Sequence, residues 1–391
     1  MYDVIIVGAG PAGSTAAKHT AENGLDTIIL EKQKLPRKKP CAGLVSQRAL
    51  NNLEVEIPES LIKRRCYGTR VIYKKHVLES KLDSQVGIQV SRSEFDYYLV
   101  QQAANAGAKV LDNTLVNSVY EDKDYISINT NEGLFKSRFL IGADGVNSVC
   151  SRYISGVESG KKAFSLNSDV PVSVEYINSR YSDLTEVDFG IVKNGYFWAF
   201  PKDIHISVGM GIFGNTSKSK PLNAYKANIK NKGFDYKKPQ GHFIPIGGYK
   251  RKICSSRILL AGDAAGFVDA FLGEGVPYAI MSGKIAANTI IETFKDNNFS
   301  DDKLSDYVKK CDDAFKENLK YSLIFSKLFY RFPSIFATML TNNKTMLDHA
   351  LLVVKGESGY KQFVRWLVPR FPYYIMKILK NRSIHRLRSN N

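Results

Sequence analysis

The feature that most constrains this chain stands near its start. Gly8-Ala9-Gly10-Pro11-Ala12-Gly13 follows directly on the apolar run Tyr2–Val7. A short apolar run ending on glycine, then Ala-rich helical spacing over 11–23, then a second apolar run at 27–31, predicts a βαβ unit with buried parallel strands. The first glycine permits the tight turn, the second lets the backbone approach a pyrophosphate, and the third lets helix and strand pack closely. Ala9, Pro11 and Ala12 complete the loop, and the helix start offers free N–H groups and positive dipole to phosphates. Glu31 ends the second strand 18 residues after Gly13, with Lys32 beside it. A carboxylate there can bond both ribose hydroxyls of an adenosine and repels a 2′-phosphate. A Rossmann-like dinucleotide-binding α/β fold is the expectation.

The rest of the chain divides by pattern. A strand is expected at 86–90, a helix capped by Ser91 over 92–106, and strands at 108–111, 115–120, 125–130 and 134–141. Alternating, aromatic-rich segments follow at 186–192, 196–200 and 205–213, which read as an antiparallel sheet. The buried-strand pattern returns at 257–261, a helix starts near Gly275, and the pattern beyond 300 is helical. The expected organisation is therefore a discontinuous nucleotide-binding domain over 1–162 and 251–300. Inserted in it is an antiparallel-sheet substrate domain over 163–250 with contributions from about 60–90, and a helical, basic region covers 301–391.

Composition narrows the class. Hydrophobic residues make up 44% and charged residues 24%, ordinary values for a globular chain. The five cysteines (Cys41, Cys66, Cys150, Cys254, Cys311) include no CxxC pair, so neither a zinc site nor a disulfide framework is suggested, and a reducing, cytoplasmic setting is expected. No charged leader with an apolar core opens the chain, and Leu323–Leu340 is broken by Lys327, Arg331 and Pro333, which argues against a spanning helix. The formal net charge is +17, and residues 361–391 hold eight Lys or Arg with no Asp or Glu. The aromatic and aliphatic residues of Gln362–Leu367 and Tyr373–Leu379 lie among these charges, which suits an interfacial helix on an anionic membrane; a solvated basic face with some core packing has the same make-up. No nucleic-acid module is present in the sequence.

Further motifs carry a family resemblance. Gly142-Ala143-Asp144-Gly145 and Gly262-Asp263-Ala264-Ala265-Gly266, with Arg92 and Phe95-Asp96, resemble the FAD-contacting motifs of the glutathione-reductase-like FAD superfamily, in its aromatic-hydroxylase-like branch. Within that branch, Tyr196-Phe197-Trp198-Ala199-Phe200-Pro201 with Gly209-Met210-Gly211, and Pro40-Cys41-Ala42-Gly43, resemble signatures of the geranylgeranyl reductase family; Ala42 departs from a glycine in the second. The resemblance implies that FAD is held by Arg92, Ala143, Asp144, Gly145, Gly262 and Asp263. It also places Cys41, Ala42, Gly43, Val116, Gly273, Gly275 and Val276 at the cofactor, with the helix start after Gly275 stabilising the anionic reduced flavin.

Tyr196, Trp198 and Phe200 share one strand face, so they are expected to wall a long apolar substrate, together with Gly209 and Gly211; a strand contributing aromatics to a core would look the same. The implied activity is saturation of isoprenoid double bonds by flavin N5 hydride transfer, with Cys41, Tyr196 and Trp198 as candidate catalytic residues and Tyr196 or water as proton donor. His205 and His242 are read as structural or surface residues, and no metal site is expected. No second strand–GxGxxG–helix unit is read between Asp144 and Asp263, so reduction is expected from an external donor such as NAD(P)H or ferredoxin. The implied setting is cytoplasmic and peripherally membrane-associated. Two alternatives stay open: an oxygen-using aromatic or quinone hydroxylase or halogenase, whose W-x-W-x-I-P motif differs from residues 196–201 at the first and fifth positions, and a non-enzymatic flavin-bound protein of the membrane surface.

Overall fold

The computed structural model describes residues 1–156, 161–213, 221–247, 250–299, 301–374 and 376. The N-terminal unit forms as its pattern requires: strand Tyr2–Val7, helix Pro11–Glu22, strand Thr27–Leu30. Both strands are almost wholly apolar because both faces of their sheet are covered. That sheet has seven strands, in the order Lys109–Leu111, Thr27–Leu30, Tyr2–Val7, Gly133–Gly142, Ile126–Thr130, Val116–Glu121, with Ile258–Leu260 also on Gly133–Gly142. The ten-residue Gly133–Gly142 strand serves two partners on one side. Its first half forms a hairpin with Ile126–Thr130, and its last three residues run parallel to Ile258–Leu260. The carboxyl ends of Tyr2–Val7, Gly133–Gly142 and Ile258–Leu260 thereby meet, and each runs into one of the glycine motifs.

Helix Val276–Lys295 crosses helix Pro11–Glu22 closely. A side chain at Gly283 would stand 2.3 Å from the Ala12 carbonyl oxygen, so glycine sets the separation. Helix Arg92–Asn105 starts where expected, but the Ser91 hydroxyl bonds Ser93 at 2.9 Å instead of capping the first turn.

The second sheet also has seven strands: Gln240–Ile246, Lys161–Pro171, His205–Ile212, Gly195–Pro201, Leu184–Asp188, Gly68–Tyr73, His76–Lys81. The expected antiparallel sheet is therefore mixed. Leu184–Asp188 and Gly68–Tyr73 pair parallel, because the latter enters from an earlier part of the chain. The strand expected over 186–192 ends at Asp188, whose carboxylate accepts the Gly190 N–H at 2.9 Å and turns the chain. Two helices unanticipated in this region, Val174–Arg180 and Pro221–Asn231, carry Ile177, Tyr225 and Ile229 onto the sheet's outer face against Phe197, Ile206 and Val208.

Beyond residue 300 the described chain is helical, with helices at Glu317–Arg331, Pro333–Asn342, Lys344–Lys355 and Tyr360–Leu367. They cover the sheet's inner face with Phe325, Phe329, Phe336, Leu340 and Leu347. Tyr360, Phe363 and Leu367 are buried in the same cluster. The apolar face of 362–367, read as an interfacial helix, thus packs inward, because its 3–4 residue spacing meets Phe325 on the neighbouring helix. Tyr374 is buried as well, and residues 375 and 377–379 of the second expected interfacial stretch lie outside the described residues. Among the described residues no single helix is long and apolar enough to cross a membrane. The bent pair Lys303–Arg331 and Pro333–Asn342, which meets at 103°, carries much of its apolar surface into the core.

Candidate active site

A cavity of about 800 Å3 runs from the N-terminal glycine loop to the inner face of the second sheet. At one end stand Gly8, Gly10, Pro11, Ala12, Glu31 and Lys32. Gly8 has φ +101°, and a side chain on it would meet the Ala143 carbonyl oxygen at 2.4 Å. Gly13 lies behind the loop, where a side chain would collide with the Gly8 carbonyl oxygen at 1.9 Å. Ala9 turns its amide to Glu31, donating to Oε2 at 3.0 Å. Gly13 and Ala9 therefore shape the loop from outside the cavity wall. The Glu31 carboxylate, only 4% exposed, also accepts the Gln33 N–H at 3.1 Å and meets Arg37 at 3.2 Å.

Arg92, buried at the start of its helix, grips Asp96 with two bonds of 2.8 and 3.1 Å, and this carboxylate raises its pKa against the cost of burial. Asp144 accepts the Val149 and Cys150 N–H groups through one oxygen, at 2.7 and 3.3 Å, while its other oxygen is buried without a partner. Gly262, Asp263, Gly273, Gly275 and Val276 line the middle of the cavity with Val116, Ala143 and Gly145. Gly275 precedes the helix Val276–Lys295, and a side chain there would stand 3.2 Å from Asp263. Cys41 and Ala42 line the wall, and Gly43 turns there with φ +92°.

The far end is apolar and aromatic. Tyr196, Trp198 and Phe200 all line it, whereas Phe197 and Ala199, one residue out of phase, pack into the opposite cluster. The pairing register explains the two glycines that follow. Trp198 lies across from Gly209 and Tyr196 from Gly211. A side chain on Gly209 would sit 2.2 Å from the Trp198 ring, so Gly209 is a seat for the indole and not, as expected from sequence, part of the wall. The indole N–H donates to Asn167 at 3.2 Å. Tyr196 donates its hydroxyl to the Leu272 carbonyl, and burial pushes its pKa far up.

Several lining residues carried no usable signal in the sequence. Arg37 bridges Glu31 and Asp96 above Gly10. Lys39 meets His242 at 2.7 Å; burial and the neighbouring ammonium push the imidazole down to about 4, and burial lowers the lysine as well. His242, read as structural or surface, is thus a neutral cavity residue, while His205 stands near Asp169 and Asp203 and is not among the lining residues. Glu274 lines the same cavity near Arg48, and Leu340, Leu347 and Leu351 close the apolar end from the C-terminal helices. Their helices are legible from spacing, but their approach to a site more than 60 residues upstream is a matter of tertiary packing.

The residues fit FAD. The Gly8 turn leaves no room for a side chain, the Glu31 carboxylate lines the cavity at the end of the second strand, and a buried Asp144 oxygen lacks a partner. Among the described residues no cluster of His, Cys, Asp and Glu could hold a metal.

Comparison with known proteins agrees. Residues 1–188 match an FAD binding domain model. The chain is 32% identical to a digeranylgeranylglycerophospholipid reductase of Methanosarcina acetivorans, over 84% of this chain and 85% of that one. It is 33% identical to an uncharacterized protein of Methanosarcina barkeri, over 84% of each. Among solved structures, a geranylgeranyl bacteriochlorophyll reductase-like protein of Thermoplasma acidophilum superposes with a TM-score of 0.78, at 24% identity, covering 97% of this chain and 98% of that one. The halogenase PltM, in complex with phloroglucinol and FAD, superposes with a TM-score of 0.70, at 16% identity, covering 94% and 86%.

Proposed function

The chain belongs to the geranylgeranyl reductase family of FAD-dependent oxidoreductases, and from that premise we propose that it saturates isoprenoid double bonds of a prenyl lipid of the digeranylgeranylglycerophospholipid class. The carrying observation is that one cavity joins a dinucleotide cradle to an apolar, aromatic end large enough for a prenyl chain. FAD, when bound, supplies the hydride for such a reduction. The Gly8–Gly13 loop and Glu31 hold its adenosine and pyrophosphate, and Arg92, Asp144 and Asp263 hold its middle. Tyr196, Trp198 and Phe200 position the prenyl chain from the sheet, and Leu340, Leu347 and Leu351 close over it and exclude water. Cys41 borders the same space and shapes the end of the prenyl site.

Reducing equivalents come from a separate donor, NAD(P)H or ferredoxin, since Gly209 and Gly211 of the later G-x-G-x-x-G run lie inside the strand His205–Ile212 and not at a strand-to-helix turn. The substrate is reached at an anionic membrane surface. With the apolar face of 362–367 buried, the contact falls to the exposed stripe Ile324, Leu328 and Phe332, flanked by Lys327 and Arg331, and to Val368, Tyr373 and Met376. Mass spectrometry of lipids from a host that makes a geranylgeranylated lipid, with and without this protein, tests the reaction. Mass gains in steps of two hydrogens are expected. An unchanged lipid profile, or gain of oxygen or halogen, contradicts it.

A further inference from the structure

Saturating a C=C bond adds a hydride equivalent and a proton. The proposed function gives the first a source and leaves the second without one. Tyr196 is poorly placed to give it. Its hydroxyl is committed to the Leu272 carbonyl, and burial holds the phenol far above the neutral range. Two residues along the same loop, Glu274 lines the cavity with 18% of its side chain exposed, at the mouth of the Val276–Lys295 helix. The adjacent Gly273 would place a side chain 3.8 Å from the Tyr196 hydroxyl, so the carboxyl-bearing loop and the aromatic wall adjoin.

We propose that Glu274 is the acid that protonates the substrate alkene carbon. This rests on the reductase reading. As the hydride adds to one carbon, the Glu274 O–H bond breaks and a C–H bond forms at the other. The carboxylate left behind faces the Arg48 guanidinium at 3.9 Å, and a solvent proton restores the acid after product leaves. Arg48 is held for this position by the Tyr278 hydroxyl, at 2.9 Å, and by the Val353 carbonyl, while Asn318 fixes Tyr278 at 2.6 Å. Ser46, Arg48, Asp269, Tyr278 and Tyr360 are the polar groups around the carboxyl. Desolvation outweighs Arg48 and pushes Glu274 up to about 7, so the carboxyl holds its proton in much of the population near neutral pH and readily gives it away.

The test compares wild type, Glu274→Gln and Glu274→Asp as FAD-loaded proteins, with an infrared pH titration of the carboxyl C=O band beside turnover of a geranylgeranylated lipid. Wild type should show a carboxyl band titrating near pH 7 that Glu274→Gln lacks. Glu274→Gln should keep FAD and accept electrons from dithionite, yet turn over roughly 100-fold or more slowly, with the fall in rate above neutral pH abolished. Glu274→Asp should restore part of the rate with a shifted pH limit. Wild-type turnover and pH profile in Glu274→Gln, or no Glu274-dependent band, overturns the assignment. If Glu274→Gln fails to hold FAD, an unshifted pH limit in Glu274→Asp overturns it instead. If wild type saturates no prenyl lipid, the reductase reading fails, and the infrared titration still reports the state of Glu274.

Discussion

At the scale of single residues, the site is a set of close approaches and committed charges. Glu31 is the clearest case, with a carboxylate shared among two backbone amides and Arg37. Glu31→Ala should weaken FAD binding by roughly 1.5–3 kcal/mol, the range for hydrogen bonds to a charged group, read as a Kd increase in flavin-fluorescence titration. Unchanged affinity would remove Glu31 from the cradle. Glu274 also makes stability depend on pH. Its folded-state pKa, about 7, lies above the ordinary 4.5, so the folded chain keeps a proton that the unfolded chain releases between those values. The associated stability is fully present below about 4.5 and is lost as pH rises through about 7. Melting curves of wild type and Glu274→Gln should therefore diverge across that window, wild type losing stability relative to the variant. Parallel curves would place the carboxyl in an ordinary environment. Neither the Arg37 bridge nor the Glu274 environment was legible in the sequence, because both depend on burial and on partners 59 and 226 positions away, Asp96 for Arg37 and Arg48 for Glu274.

At the scale of elements, the Gly195–Pro201 strand separates function from packing by its two-residue period. Phe197 points into a fully buried cluster, and Trp198 into the cavity. Phe197→Ala should cost about 3–5 kcal/mol of stability, seen in Tm and in flavin loss. Trp198→Ala should keep FAD near normal and slow turnover of long prenyl substrates. Equal losses of Tm from the two changes would make Trp198 a core residue. The same strand shows why much of the site was readable. Alternation places three aromatics on one face, and the glycine motifs stand at strand ends, where local rules decide conformation. The Val174–Arg180 and Pro221–Asn231 helices were missed because short amphipathic helices between strands carry weak periodicity. The parallel pairing of Leu184–Asp188 with Gly68–Tyr73 was missed because no local feature encodes which distant strand becomes a neighbour.

At the scale of the whole molecule, basic charge and an exposed apolar stripe stand together. Each basic group near an anionic bilayer contributes about 1 kcal/mol, within a Debye length of about 8 Å at physiological salt. Co-sedimentation with anionic liposomes should fall as salt rises, and Ile324→Glu with Leu328→Glu should weaken it while leaving FAD in place. Binding that is indifferent to both changes would assign the charge another purpose. The central claim is that reduced cofactor and prenyl chain meet in one cavity, and one measurement tests it most directly. The purified protein is reduced under anaerobic conditions and mixed with a geranylgeranylated lipid, with flavin absorbance and lipid mass followed together. Recovery of the oxidised flavin spectrum, with a gain of two hydrogens per saturated bond, is the expected result. A flavin that stays reduced until oxygen is admitted, with the lipid unchanged, would contradict it.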